Sequence, residues 1–182
     1  IDHLVERYGV RNIKIPDEMF VLNKRHVLGI CDLLIERGHD LNIWAYARID
    51  TVHDAFLEKL RRAGFTWLGL GIESGSAHVR DGASKRLEAE DIVQTVRRIQ
   101  DAGIRVIGNY IFGLPDDDKD SMQATLDLAL ELNCEFANFY SAMAYPGSGL
   151  YRMALEKGWQ LPEAWFAYSQ HAYETLPLPT RF

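Results

Sequence analysis

Cysteine is scarce: two in 182 residues, Cys31 and Cys134, with no C-x-x-C pair. That excludes a disulfide framework and a cysteine-rich zinc site, and makes a reducing cytoplasm the expected location. No apolar run approaches the roughly 20 residues of a membrane helix, and no basic-plus-apolar leader opens the chain. Basic residues are outnumbered, 20 against 26 acidic, for a net charge of −6. A nucleic-acid partner is therefore not expected, because duplex binding needs Lys and Arg in excess on one face. The six histidines lack the H-x-x-x-H spacing of a helical zinc site. The chain opens at Ile1 without an initiator methionine, and we expect it to be a piece of something longer. What is present is the balance of a globular domain, 47% hydrophobic and 25% charged.

Strand and helix signals alternate five times. Apolar runs predict strands near 11–15, 41–47, 66–72, 105–112 and 136–142. Apolar residues at helical spacing predict a helix over 20–37, stopped by Gly38. Asp50 or Thr51 caps the next, with Phe56, Leu57 and Leu60 on its apolar face. Further helices are expected over 88–102, from Asp118 or Ser121 through Leu132, and over 150–157. Such βα units build a parallel sheet covered by helices. A closed eight-fold barrel needs about 250 residues, so the expected class is α/β, as a partial (β/α) barrel or open sheet. Residues 1–158 form that part, with 159–182 as a C-terminal extension. In either architecture, chemistry sits at the carboxyl ends of the strands.

Those ends hold the unusual residues. Gly71-Ile72-Glu73-Ser74-Gly75-Ser76 offers a glutamate that can accept hydrogen bonds from a diol, or else a solvated turn. A dinucleotide reading of Gly69-x-Gly71 is poor, because Glu73 puts negative charge where a phosphate must sit. Arg48 can clamp a carboxylate with two hydrogen bonds, or pair with Asp50 or Glu73. Asp17 and Glu18 can bind an ammonium group or a metal, act as acid and base, or cap a helix. The run from Gly113 to Asp118 can be a metal loop or simply a helix start. Cys31 and Cys134 read as packing residues.

Taken in order, these segments resemble the radical S-adenosylmethionine superfamily, specifically its cobalamin-binding type. The matching residues are Ile15-Pro16-Asp17-Glu18-Met19-Phe20 with Asn23, Trp44, Arg48-Ile49-Asp50, Ala63-Gly64-Phe65 and Gly71 through Ser76. They continue with Lys85, Ala102-Gly103-Ile104, Ile111 through Pro115, Tyr145 through Ser148, Leu150-Tyr151, Tyr173-Glu174 and Pro177 through Thr180. The resemblance implies strands two to six of a (β/α)6 barrel, and an enzyme that cleaves S-adenosylmethionine at a [4Fe–4S] cluster to start radical chemistry. It implies that Asp17 and Glu18 lie near the methionyl ammonium and that Arg48 meets the carboxylate. It places Glu73 and Ser74 at the ribose, and Ile111 and Gly113 at the adenine. Asn109 and Asp116 stand where the family often has Gly and Glu.

The family's Cys-x-x-x-Cys-x-x-Cys loop has no counterpart here, and two cysteines cannot supply three thiolates. The expectation is a fragment, inactive by itself, of an enzyme that acts on a small-molecule substrate and possesses the cluster ligands elsewhere. Cobalamin-dependent methyl transfer or rearrangement fits that parent. One rival is a hydrolase or aldolase using Asp17, Glu18 and Glu73, for which the chain offers no nucleophile–base pair. The other is a non-catalytic nucleotide- or partner-binding module that has lost the cluster. Without a preceding strand, the one near Ile13 has a bare edge, so the fragment is expected to dimerise or aggregate through that edge, or to fold its N-terminal helix across it.

Overall fold

The computed structural model describes residues 1–82, 89–170, 173, 176, 178 and 179. Five parallel strands form one sheet: β1 (Asn12–Lys14), β2 (Asn42–Arg48), β3 (Phe65–Glu73), β4 (Arg105–Phe112) and β5 (Phe136–Ser141), in the order β1-β2-β3-β4-β5. Seven helices accompany them: α1 (Asp2–Tyr8), α2 (Lys24–Arg37), α3 (Asp54–Arg62), α4 (Ala77–Gly82), α5 (Ala89–Asp101), α6 (Lys119–Leu132) and α7 (Gly149–Glu156). Sequential order with a helix between consecutive strands is the topology of a partial (β/α) barrel. Every expected strand is present to within about two residues.

Two helix starts differ from the sequence reading, and α1 and α4 lie outside it. α2 starts at Lys24, not near Phe20, because the Asn23 side chain accepts from the His26 N–H at 3.1 Å and caps the helix there. Phe20 and Val21 precede it in a turn, buried, with Phe20 stacked on Phe65 at 5.0 Å. Apolar residues at helical spacing were packing from a turn. α3 starts at Asp54 with no side-chain cap, since Asp50 and Thr51 lie in a 3-10 turn over Ile49–Thr51. There the Thr51 hydroxyl donates to the Arg48 carbonyl. α1, which the sequence reading did not include, closes on Gly9 in the left-handed conformation, and Asp2 ties it to Arg37 and His39 of the α2 end. α6 does begin after Asp118, whose carboxylate and backbone N–H exchange hydrogen bonds with Ser121.

The chain divides into two compact units. One comprises Ile1–Ile72, Glu88–Asn109 and Ala129–Ala137. Its core is drawn from Ile43, Ala45 and Ala47 of β2, Leu68 and Leu70 of β3, Cys31 of α2 and Phe56 and Leu60 of α3, all buried. β2 alternates strictly, leaving Trp44, Tyr46 and Arg48 partly exposed on its other face. Trp44 and Tyr46 lie over Gly69, where an added Cβ would stand 2.9 Å from the Tyr46 ring. The Lys14 ammonium sits 4.2 Å from the Trp44 ring centre on the same strip.

The second unit comprises Glu73–Leu87, Tyr110–Leu128 and Asn138–Phe182. Tyr110 and Phe112 stack on Phe139 at 5.0 and 5.4 Å. Ala142, Ala144, Ala154 and Leu178 form a small core, joined by Ile111 and Leu114. Lys85, Glu174, Pro177 and Thr180 of the family pattern lie outside the described residues.

Candidate functional site

In the first unit, the charged residues after β1 and β2 are solvated. Asp17 and Glu18 are exposed, and the Asp17 carboxylate accepts from the Met19 N–H at 3.0 Å. This is an Asx turn that starts the loop, not the cap of α2, a role that falls to Asn23. Arg48, at the last position of β2, holds Asp50 with two hydrogen bonds, Nε–Oδ1 at 3.0 Å and Nη2–Oδ2 at 2.6 Å. Both side chains remain 38% exposed. An ion pair that open is worth about 0–1 kcal/mol, so little free energy is needed to part it.

In the second unit, β3 ends at Glu73, half-buried and with φ 70°, a left-handed conformation. A non-glycine residue held there costs about 1–2 kcal/mol, so its surroundings must fix it. They do. Ser74 is fully buried, and its hydroxyl meets Thr125 of α6 at 3.1 Å and accepts from the Ser76 N–H at 3.1 Å. The Gly75 N–H donates to the same Thr125 oxygen at 2.9 Å. The buried Arg80 guanidinium donates to the Ser74 carbonyl at 2.7 Å. Ser74 therefore faces inward and shapes the loop that follows Glu73, the last residue of β3.

The loop after β4 is braced similarly. Gly113 turns with φ 81°, which favours glycine. Asp117 is 1% exposed, and one carboxylate oxygen accepts from the Gly113 and Leu114 N–H groups at 2.8 and 3.1 Å. Its other oxygen accepts from the Ser121 hydroxyl at 2.6 Å. Of the two readings of this acidic run, the helix start is the one observed. Among the described residues, no group of three His, Cys, Asp or Glu is placed to hold a metal. Ile111 is partly buried against the small core.

Burial pushes the Cys31 thiol up to about 11, so it is protonated at neutral pH and inert as a ligand. We expect a disulfide reagent at pH 8 to leave Cys31 unmodified until urea unfolds the protein. Rapid labelling of Cys31 under native conditions would show that this core is open.

The sequence reading missed Thr125 and Arg80, and saw Asp117 only as part of an acidic run. The available signal was Ser121 and Thr125, four residues apart on one helical face.

The model of the Radical SAM superfamily matches residues 6–129. The chain belongs to the radical SAM superfamily. An uncharacterized methyltransferase of Pyrococcus horikoshii is 26% identical over 162 residues, covering 89% of this chain and 35% of that protein. The anaerobic magnesium-protoporphyrin IX monomethyl ester cyclase of Cereibacter sphaeroides is 26% identical over 156 residues, covering 84% of this chain and 26% of that protein. The radical S-adenosylmethionine methyltransferase TsrM from Kitasatospora setae, solved with cobalamin and a [4Fe–4S] cluster bound, has the same fold over 74% of this chain and 28% of its own. Its TM-score is 0.66 at 19% identity. This radical SAM chain thus spans about a third or less of the relatives it matches. No helix among its described residues is long and apolar enough to cross a membrane.

Proposed function

We propose that this chain is the S-adenosyl-binding part of a radical SAM enzyme. The single observation that carries the proposal is Glu73, a carboxylate kept at a strand end in a left-handed conformation by a buried clamp. A carboxylate so placed accepts from both hydroxyls of a ribose, as charge-assisted bonds. Ser74 backs it from inside. Ile111 and the turn at Gly113 receive the adenine, with Ile111 supplying apolar contact. Arg48, aimed by Asp50, takes the methionyl carboxylate in exchange for that partner. Asp17 and Glu18, exposed after β1, attract the ammonium.

The residues present do not fit a [4Fe–4S] cluster: there are two cysteines, and one is buried and protonated. Reductive cleavage of the sulfonium accordingly requires thiolates that the whole protein provides outside this chain, which alone binds without cleaving. Methyl transfer is the reaction class favoured by the name of the Pyrococcus relative, and cobalamin dependence by the cobalamin bound in the Kitasatospora enzyme. The substrate of the whole protein is a small molecule.

The test is S-adenosylmethionine affinity of the full-length protein by calorimetry. Glu73→Ala should weaken it by about ten- to a hundredfold, the equivalent of about one charged hydrogen bond. An unchanged affinity would remove Glu73 from the site and leave the proposal on family membership alone.

A further inference from the structure

We infer that Thr125 is a positioning residue for the nucleoside end of the cofactor, acting through a buried hydrogen-bond chain that ties the loop after β3 to the loop after β4. The inference rests on the reading of Glu73 and Gly113 as nucleoside-binding.

The proton arrangement follows from counting. The Thr125 hydroxyl has one proton, which goes to the Ser121 carbonyl at 2.9 Å, four residues back on α6. Its oxygen is then an acceptor toward everything else. The Gly75 N–H fills one lone pair at 2.9 Å. The Ser74 hydroxyl must fill the other at 3.1 Å, since Thr125 has no second proton to give. Ser74 in turn accepts from the Ser76 N–H. One threonine oxygen thereby fixes two consecutive residues of the loop that begins at Glu73.

The same helix reaches the other loop. The Ser121 hydroxyl donates to Asp117 at 2.6 Å, and Asp117 accepts from the Gly113 and Leu114 N–H groups. Ser74 and Thr125 are 0% exposed and Asp117 is 1% exposed, so water does not compete for these bonds. Gly75 allows the approach: an added Cβ would stand 2.2 Å from the Ala124 carbonyl oxygen. None of these groups is needed to touch the ligand. Their effect is to set where Glu73 and Gly113 stand relative to the first turns of α6, all within one compact unit.

The experiment uses the full-length protein with adenosine and S-adenosylmethionine as probes, by calorimetry, on Thr125→Val, Thr125→Ser, Glu73→Ala and Thr125→Val/Glu73→Ala. Thr125→Val is isosteric and removes only the hydroxyl. It should weaken both probes by about the same factor, five- to tenfold on the scale of one to two neutral hydrogen bonds. Thr125→Ser should restore affinity to within about twofold. The double variant should bind no more weakly than Glu73→Ala, because Thr125 acts through the loop that bears Glu73. Loss of thermal stability alone does not produce this non-additivity.

If Glu73→Ala weakens binding and Thr125→Val does not, the positioning role is overturned while the site reading stands. If the two losses multiply, Thr125 acts by another route and the inference is likewise overturned. If Glu73→Ala has no effect, the site reading itself fails and takes the inference with it. Should Thr125→Val not fold, Ser74→Ala, which removes one of the two donors, decides: unchanged affinity for adenosine overturns the chain.

Discussion

Asp117→Ala should cost the protein about 3 kcal/mol of stability. The substitution leaves the Gly113 and Leu114 N–H groups without their acceptor, in a place where Asp117 itself is 1% exposed, while the Ser121 hydroxyl falls back on the Asp118 carbonyl at 3.0 Å. Each unmatched buried polar group costs about 1–3 kcal/mol, and partial rehydration of the turn reduces the sum. Asp117→Asn keeps one acceptor oxygen and should lose about half as much. The measurement is urea unfolding of wild type and both variants, read as a shift in midpoint at constant slope. A loss below about 1 kcal/mol for alanine would mean that water replaces the carboxylate, and that the β4 loop is not braced from within.

Gly75→Ala should be at least as damaging. The new methyl would lie 2.2 Å from the Ala124 oxygen, 2.4 Å from its carbonyl carbon and 2.7 Å from the Thr125 nitrogen. All three are helix backbone and cannot rotate aside. The loop must lift off α6, breaking the Gly75–Thr125 hydrogen bond as it goes. Overpacking costs about 1–3 kcal/mol and occasionally more, and a clash with fixed helix backbone belongs at the upper end; S-adenosylmethionine binding should fall with it. Thermal unfolding together with calorimetry checks both. A variant as stable as wild type would show that this loop does not rest against the helix.

The strands were legible because the inner strands leave short, largely apolar runs, as at 104–112, bounded by glycine and proline. The stripe of Ile92, Val93, Val96 and Ile99 was legible from its helical spacing, and all four are buried. The start of α2 was not, because Phe20 and Leu22 carry helical spacing while the cap that decides the boundary is one side chain, Asn23. The seven residues of α1 are too few for periodicity to register. At the strand ends, the sequence pointed to Glu73, Arg48 and the Gly113 turn. The partner of Arg48 was among the alternatives it left open, and Asp50 is the one observed. The clamp could not be read. Ser74 and Thr125 are 51 residues apart, and a threonine inside a helix gives no sign of which backbone it will meet.

Glycine would suit the backbone at position 73 better than glutamate does, by about 1–2 kcal/mol. The chain keeps a side chain there at the expense of conformational ease, and spends a buried arginine, two hydroxyls and a helix-packed glycine to keep it in place. A chain selected only for durability would have no use for that arrangement. On the proposed reading, the corner trades stability for readiness: a backbone fixed before a ligand arrives would leave less of the binding free energy to be lost in ordering it.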